Sequence, residues 1–356
     1  MKKLSEILLA LRIEQSLKTK DVASLSGIDQ ALVSKFESGV RIPTKAQIQN
    51  LSHVFNCSLK ELETARLAEK IVELVQYEIN GNDALMVAEE RIAYLNSSKT
   101  FEVPMLSSSI QKSLNKIDIL QKEWNSNRPI NLTQLQKMKE YFATKYTFNS
   151  NQIEGNTLTL QETHLIVNEG ITIGGKSMRE HLEAINHSEA IDFIGDLIAN
   201  KETLTQRVLL ELHTLILKGI DKENAGRHRR TGVLISGSEH VPPEPYMLVK
   251  LMEDYFLHYN RQKGSMHPVI LAAEMHERLV TIHPFIDGNG RTSRLIMNLI
   301  LLSNGYTIAI LKGDNASRLN YYRALEKVQV EGNPEPFYEL ICSVVEKSLL
   351  EHLKLV

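Results

Sequence analysis

The spacing of apolar residues predicts helices along most of the chain. At the N-terminus, Leu4, Ile7, Leu8 and Leu11 recur at intervals of three and four residues, which is typical of one buried helix face. Similar patterns, separated by short polar turns, continue to residue 64. We therefore expect five short helices over residues 1–64, with Gly27 as the turn between the second and third.

Further along, residues 65–76 and 84–95 are amphipathic and predict a helical connector over 65–109. From residue 110 the pattern is steadily helical, with a capping box predicted at Thr159–Glu162 and a long helix at 178–198. Residues 225–243 interrupt this pattern. There, residues 233–235 form a short strand signal and residues 236–238 a turn.

Length, charge and cysteine content narrow the class of protein. The 356 residues predict two or three domains, and a net charge of -2 indicates no general attraction to nucleic acid or membrane. Cys57 and Cys342 are the two cysteines, which fits a reducing compartment without disulfides. No apolar run is long enough for a membrane span or a signal peptide. We expect a cytoplasmic protein with no membrane partner.

The stretch 283–294 concentrates chemistry between two predicted helices. Gly288 and Gly290 permit backbone shapes that let amide groups converge on an anion, at the positive end of a helix dipole. Arg291 and Arg294 lie three residues apart on one face of the helix that follows, where both can hold phosphate oxygens. This pattern predicts a phosphate-binding loop.

Two further residues of the stretch suggest a reaction. Asp287 is a hard oxygen ligand suited to Mg²⁺, and His283 is placed to accept a proton from a hydroxyl. An ordinary anion-binding loop without chemistry is the alternative. A zinc site is a second alternative, but His276 and His283 lack the spacing of the zinc protease motif. We interpret His276 as a core histidine.

These residues resemble the signature of the Fic family, His-Pro-Phe-x-(Asp/Glu)-Gly-Asn-(Gly/Lys)-Arg-x-x-Arg, at every defined position. The resemblance, over about residues 110–345, implies a Fic-type helical core that transfers AMP from ATP to a hydroxyl of a target protein. By this resemblance His283 is the catalytic base and Asp287 the Mg²⁺ ligand. The ATP phosphates are then held by Gly288, Asn289, Gly290, Arg291 and Arg294.

Residues 150–155 fit the family's inhibitory motif, (Ser/Thr)-x-x-x-Glu-(Gly/Asn), through Ser150, Glu154 and Gly155. The resemblance implies that Glu154 pairs with Arg294, withholds it from the γ-phosphate and turns ATP into an unproductive pose. The alternative is an ordinary helix end, with Gly155 as its cap and Glu154 as a surface acid.

The family also has a β-hairpin flap over its active site, which holds the target backbone by strand pairing. The resemblance places this flap at the break in the helical pattern. Its tip, near the bound nucleotide, is then formed by Ser236, Gly237, Ser238 and Glu239. Tyr322 is a further candidate for the adenine pocket.

The first 62 residues resemble the Cro/C1 repressor (XRE-like) type of helix-turn-helix domain. In that family the third helix enters the major groove of DNA. The DNA-contacting candidates here are Lys20, Gln30, Ala31, Ser34 and Lys35. Nine lysines and arginines against seven acidic residues over 1–65 predict weak binding by one copy, so that DNA binding requires a homodimer. A helix-turn-helix used only for protein contacts is the alternative.

The chain is thus predicted to be all-α, with a helix-turn-helix domain at 1–64, a helical connector at 65–109 and a Fic domain at 110–356. The expected function is that of an autoinhibited protein adenylyltransferase that uses ATP and Mg²⁺ and binds promoter DNA. Two alternatives remain. One is a Fic enzyme that mainly removes AMP or uses another nucleotide or phospho donor. The other is a transcription regulator with a nucleotide-sensing Fic domain.

Overall fold

The computed structural model of the chain describes residues 3–97, 106–127 and 131–356, without the side chains of 87, 90, 91 and 93–97. In these ranges the secondary structure consists of α-helices and one short 3-10 turn, with no strand, so the all-α prediction is confirmed. The chain divides into two compact units, Met1–Phe101 and Glu102–Val356. None of the described helices is long and apolar enough to cross a bilayer.

The first unit has the five predicted N-terminal helices and a sixth. They are α1 (Leu4–Glu14), α2 (Thr19–Ser26), α3 (Gln30–Glu37), α4 (Lys45–Val54), α5 (Leu59–Val75) and α6 (Gly81–Ser97). Apolar side chains from the first five helices and the turns between them form one core, with Val22 and Ile48 fully buried. The Arg12 guanidinium ties α1 to the end of α3 through two bonds, of 2.7 and 2.9 Å, to the Glu37 carboxylate.

Helix α5 is longer than predicted, because it crosses the expected domain boundary at residue 64 without a break. Its second half contacts α1, where the Leu4 amide donates to Glu69 Oε1 over 3.1 Å. The first helix of the predicted connector is therefore a continuation of α5. Residues 98–105 of that connector lie outside the described residues.

The second unit contains the remaining helices. They are α7 (Ser108–Ser126), α8 (Leu132–Ile153), α9 (Leu160–Glu169), α10 (Met178–Ala199), α11 (Gln206–Leu217), the 3-10 turn Pro245–Met247, α12 (Leu248–Gln262), α13 (Pro268–Ile282), α14 (Asn289–Ser303), α15 (Asn315–Glu331) and α16 (Glu335–Leu353). The predicted long helix is α10, and the predicted capping box opens α9 at Thr159.

Helices α13 and α14 lie at the centre of the second unit. Both are buried on nearly every side, including polar residues of each, and Met275 of α13 and Leu295 of α14 have no exposed surface. The loop between them is therefore held at both ends by the core. This loop contains the predicted phosphate-binding residues.

The predicted β-hairpin flap is not a hairpin in the structure. Residues 231–244 are irregular, with a turn at Gly237 that is closed by the bond from the Ser238 amide to the Ile235 carbonyl, 3.2 Å. The predicted second arm contains Pro242 and Pro243, which have no N–H group to donate to a strand ladder. The strand predicted at 233–235 is therefore wrong, as is the hairpin that it was expected to belong to.

Candidate active site

The loop after α13 is organised by its own side chains. Asn289 closes it, since its Oδ1 accepts from the Phe285 amide (3.0 Å) and its Nδ2 donates to the Phe285 carbonyl (2.9 Å). The Phe285 ring is fully buried and stacks on His213 at 3.6 Å. The loop is thus rigid at its centre, and the predicted phosphate ligand Asn289 shapes the loop through its side chain.

His283 ends α13 in a left-handed conformation with φ 50°. Its Nδ1 lies 3.2 Å from the Val280 carbonyl, so Nδ1 carries the proton and Nε2 is left as the basic atom. The His283 carbonyl accepts from Arg229 Nε at 2.8 Å, which holds the backbone turn in place. Burial lowers the pKa of His283 below the ordinary imidazole value of 6.5. The imidazole is then neutral at neutral pH and able to accept a proton.

The N-terminus of α14 is arranged as an anion site. Its N-cap is Gly288, with φ 79° and no capping side chain. An uncapped helix start presents backbone N–H groups and the positive end of the helix dipole to a ligand. The predicted amides of Gly288, Asn289 and Gly290 lie at this end, and the Gly288 amide donates to the Asp287 side chain at 2.6 Å.

Asp287 and Arg291 belong to one charged network beside this helix start. Arg291 is buried and contacts Asp287 Oδ1 at 3.2 Å and Glu183 Oε1 at 3.3 Å. Arg179 reaches the other oxygen of Asp287, with Nη2 to Oδ2 at 2.7 Å. Although burial works against its charge, Arg291, the Gly288 amide and Arg179 hold the pKa of Asp287 below its ordinary value. The carboxylate is ionised and able to bind a metal cation.

Arg294 and Glu154 form the ion pair that the inhibitory motif predicts. Glu154 Oε1 accepts from Arg294 Nη2 at 2.7 Å, and Ser150 binds the same guanidinium through its hydroxyl (3.0 Å) and carbonyl (2.8 Å). Arg294 is fully buried, and the Glu154 carboxylate more than offsets the cost of burial, so that the pKa of Arg294 is raised. Gly290 permits this approach, because a Cβ there would clash with Glu154 Oε1.

The end of α8 that carries Glu154 is fastened to three neighbouring segments. Tyr322 of α15 donates its hydroxyl to the Ile153 carbonyl at 3.0 Å. Asn149 Oδ1 accepts from the Gly313 amide at 3.1 Å, and Asn151 Nδ2 donates to a carbonyl of α10 at 3.1 Å. The structure therefore places the predicted adenine contact Tyr322 directly beside the inhibitory motif.

The predicted flap residues lie on the surface. Ser236, Gly237 and Glu239 are exposed and Ser238 is half-buried. Just after them, His240 Nε2 donates to the Thr281 carbonyl at 2.9 Å, two residues before His283. Arg229 also donates to the Pro243 carbonyl. The segment is thus tied to the end of α13.

Several residues that shape the site were not predicted from the sequence. His213 accepts from the Gly226 amide at Nδ1 (2.9 Å), so its Nε2–H donates to the Asp287 carbonyl (2.9 Å). Burial lowers the pKa of His213 to about 4, which keeps this tautomer neutral. Arg229 at the His283 carbonyl, Glu183 at Arg291 and Arg179 at Asp287 also hold the site. All lie far from the loop in sequence and carry no motif signal. His276, as predicted, is a buried core histidine, bonded to the Tyr321 hydroxyl at 3.1 Å.

The predicted DNA contacts lie in the first unit. Asp29 caps α3, and Gly27 forms the left-handed turn that separates α3 from α2. The five candidates are all exposed side chains of these two helices: Lys20, Gln30, Ala31, Ser34 and Lys35. Their shared exposure suits contact with a large external partner.

Comparison with known proteins agrees with both parts of this description. The Fic/DOC family matches residues 203–301, and a helix-turn-helix family matches residues 8–62. The crystal structure of a Fic-domain signalling protein from Bacteroides thetaiotaomicron is 30% identical, with a TM-score of 0.62, and the match covers 67% of this chain and 97% of that one. The chain belongs to the Fic/DOC family. The resemblance stated from residues 283–294 is thereby confirmed.

Other Fic proteins extend the comparison. The protein adenylyltransferase Fic of Drosophila grimshawi is 40% identical over 215 residues, which cover 60% of this chain and 43% of that protein. The same protein of Drosophila ananassae is 40% identical over 214 residues, which cover 60% and 42%. The chain therefore spans less than half the length of these relatives. Fic-1 from C. elegans, at 24% identity and a TM-score of 0.63 over 98% of both chains, supports the fold.

Proposed function

We propose that this chain is a protein adenylyltransferase, which transfers AMP from ATP to a Ser, Thr or Tyr hydroxyl of a target protein and is restrained by its own Glu154. The observation that carries the proposal is the contact of Glu154 with Arg294, 2.7 Å, at an uncapped helix start that also carries His283 and Asp287. Relatives named protein adenylyltransferase Fic are 40% identical to this chain over 60% of its length.

The geometry suits nucleotidyl transfer. The amides at the start of α14, together with Arg291 and Arg294, hold the phosphates of ATP. His283 Nε2 accepts the proton of the target hydroxyl as its oxygen attacks the α-phosphorus. The bond to the oxygen that bridges the α- and β-phosphates breaks, and pyrophosphate leaves. Catalysis then rests mainly on positioning and on charge stabilisation, with one proton transfer.

Asp287 fits the role of the Mg²⁺ ligand. Its carboxylate is a hard oxygen donor beside the anion site, its side chain is 40% exposed, and the Gly288 amide fixes Oδ1 at 2.6 Å. When bound, Mg²⁺ neutralises charge that develops on the phosphates. The residues of the loop orient the nucleotide around that position.

The restraint follows from the Glu154 contact. Arg294 cannot hold a γ-phosphate while its guanidinium is held by Glu154 and Ser150. The Glu154 carboxylate also adds negative charge at the place that the phosphate tail needs. ATP then binds without its productive pose.

The test is transfer of label to protein from ATP carrying a radioactive α-phosphate, in the presence of Mg²⁺. Glu154→Gly is expected to raise labelling by about tenfold or more over the wild type, because Arg294 is released for phosphate. Glu169→Gly is the matched control, since Glu169 also ends a helix before a left-handed glycine but lies on the exposed surface. Equal labelling by the wild type and Glu154→Gly would sink the proposed restraint.

Removal of AMP from a modified target is a second candidate activity. It is favoured by the position of Glu154, whose carboxylate contacts Arg294 at 2.7 Å at the same helix start. A carboxylate at this site is a group that can orient an attacking water. Glu154→Gly separates the two activities, because it should increase transfer and abolish hydrolysis of an adenylylated target. A chain that neither adds nor removes AMP would direct attention to another donor or to nucleotide sensing.

The first unit is proposed to bind promoter DNA as a homodimer, with the exposed residues of α2 and α3 in contact with it. The match to a helix-turn-helix family over residues 8–62 supports this. A gel shift with DNA from the chain's own promoter, at several salt concentrations, tests it. We place the protein in the cytoplasm, in keeping with its free cysteines Cys57 and Cys342.

A further inference from the structure

Both oxygens of Asp287 are already in use in this structure. Oδ1 accepts from the Gly288 amide at 2.6 Å and from Arg291 Nη2 at 3.2 Å. Oδ2 accepts from Arg179 Nη2 at 2.7 Å. A cation that binds Asp287 must therefore find an oxygen that no guanidinium already covers.

The two arginines differ in how firmly they are held. Arg291 is 2% exposed and pairs with the buried Glu183, whereas the Arg179 side chain is 58% exposed and extends from the first turn of α10. The Arg291 guanidinium is itself buried, so moving it away from Glu183 and Asp287 would leave a buried charge unpaired, which is costly. The Arg179 side chain can move into solvent.

Departure of Arg179 leaves no buried charge unpaired. Its second contact is Nε to Glu183 Oε1, 3.1 Å. Without it, Glu183 keeps the contact with Arg291, and its Oε2 still accepts from Asn156 Nδ2 at 3.0 Å. The ion pairs of Arg179 with Asp287 and Glu183 are lost, but the guanidinium that makes them is exposed, and pairs of exposed side chains are weak. Arg179 can therefore exchange with another cation at small cost.

Magnesium and a guanidinium cannot occupy the same carboxylate oxygen together. Mg²⁺ binds oxygen at about 2.1 Å and demands regular octahedral geometry. A guanidinium at hydrogen-bond distance from that oxygen would add like-charge repulsion at close range. We infer that Arg179 is a built-in cation that covers Oδ2 of Asp287 and competes with the metal for it. The inference rests on the proposed role of Asp287 as metal ligand.

Arg179 would then restrain the enzyme independently of Glu154. Glu154 withholds Arg294 from the phosphate tail, while Arg179 withholds Asp287 from the metal. The two residues are held by different partners and lie on different helices, α10 and the end of α8. Loss of both contacts should therefore give nearly additive effects on transfer.

The direct test is binding of Mn²⁺ to the full chain, followed by the electron paramagnetic resonance of the unbound ion. Mn²⁺ prefers the same oxygen ligands as Mg²⁺. Arg179→Ala is expected to lower the Kd of Mn²⁺ by about two- to fivefold, the range of an exposed ion pair. Arg179→Lys retains the charge and should keep the Kd close to the wild-type value. Asp287→Asn should remove the site.

Arg207→Ala is the matched control for charge. Arg207 is similarly exposed, at 61%, and pairs with Glu211 of its own helix instead of Asp287. Its loss should leave the Kd of Mn²⁺ unchanged. If Arg207→Ala lowered the Kd of Mn²⁺ as much as Arg179→Ala does, the effect would come from net charge in general. That result would overturn the inference.

The remaining outcomes are also decisive. An unchanged Kd of Mn²⁺ in Arg179→Ala would mean that Arg179 does not compete with the metal. A higher Kd would mean that Arg179 positions Asp287 for the metal instead. Absence of Mn²⁺ binding in every variant would overturn both this inference and the role of Asp287. If Arg179→Ala lowers the Kd of Mn²⁺ but Glu154→Gly does not label protein, the transferase proposal is refuted and the inference about Arg179 is retained.

Discussion

The start of α14 and the start of α3 are both helix N-termini with functional candidates, but they are built in opposite ways. At α3, Asp29 Oδ1 accepts from the Ala31 amide at 2.8 Å and the Leu32 amide at 3.3 Å, so the chain caps its own helix. At α14 the N-cap is Gly288, which has no side chain to offer. The first end is completed by the protein, and the second is left for a ligand.

The side chains around the two helix starts also differ in their burial. Arg291 and Arg294 are buried and held by carboxylates, whereas Gln30, Ser34 and Lys35 are exposed. A buried charge needs partners already in place, while an exposed one is solvated until a partner arrives. The charged groups at the start of α14 are therefore fixed by partners within the protein, whereas those at the start of α3 are exposed to solvent, as the proposed contacts with a small anion and with DNA require.

The largest effect is expected from removing the base. His283→Ala in the Glu154→Gly background should lower transfer by about 10²–10⁴-fold, the usual contribution of a general base. Labelling of protein measures it. His276→Ala is an unsuitable control because His276 is buried, so His164→Ala, an exposed histidine of α9, serves instead. Full activity without the imidazole would exclude His283 as the base.

The pH dependence of AMP transfer tests the protonation state of His283 without changing that residue. Burial lowers the pKa of His283, so its basic form is fully present at neutral pH and is lost only as the pH falls through this lowered value. The rate of Glu154→Gly should be level near neutral pH and fall by up to about tenfold per unit in acid. A rate that still rises well above neutral pH would contradict this assignment.

Alanine substitutions at Gly27, just before α3, and at Gly288, the N-cap of α14, compare the two regions. Gly27 and Gly288 have similar left-handed angles, φ 69° and 79°, but a Cβ at 27 meets nothing within 4 Å while one at 288 meets Ile216 and His213 at 3.3 and 3.4 Å. Substitution by alanine should cost about 1–2 kcal/mol from backbone strain at either position, with a further loss at Gly288 from crowding.

The single tryptophan, Trp124, is buried in the second unit and reports on that unit alone. In denaturant, Gly288→Ala should lower the midpoint of its fluorescence change, and Gly27→Ala should leave it unchanged. An unchanged midpoint in Gly288→Ala would contradict the crowding at that position, and an equal shift in both variants would show that Trp124 does not report on the second unit alone.

The smallest effect is expected at the exposed surface of α3. Lys35→Ala should reduce the salt dependence of DNA binding by about one unit of slope, as loss of one phosphate contact would, and leave the unfolding midpoint and transfer unchanged. Measurement of binding across a salt series checks it. Lys60→Ala, which removes an exposed lysine of α5, is the control and should leave the slope as it is.

Local patterns predicted the helices and several of their ends well. Thr159 caps α9 as predicted, since capping depends on residues within one turn. The flap was harder to predict. A strand needs a partner to pair with, and the residues after the turn include Pro242 and Pro243, which cannot donate to a strand ladder.

The site residues show the same limit. Glu154 was paired with Arg294 by resemblance, 140 residues away, and the structure brings them together. No comparable signal existed for Arg179 and Asp287, which are 108 residues apart, or for His213 and Asp287, which are 74 apart. Their contacts depend on how α10 and α11 pack beside α14, which no short stretch of sequence encodes.

The sequence by itself determined the family, the helical class and the types of group that meet at the catalytic loop, because these depend on residue identity and short spacing. Only the tertiary structure decided which of those groups are occupied. Packing buries Arg294 against Glu154, fixes the tautomers of His283 and His213, and places the exposed Arg179 on Asp287. Burial and pairing are properties of the surroundings, and those surroundings come from distant parts of the chain.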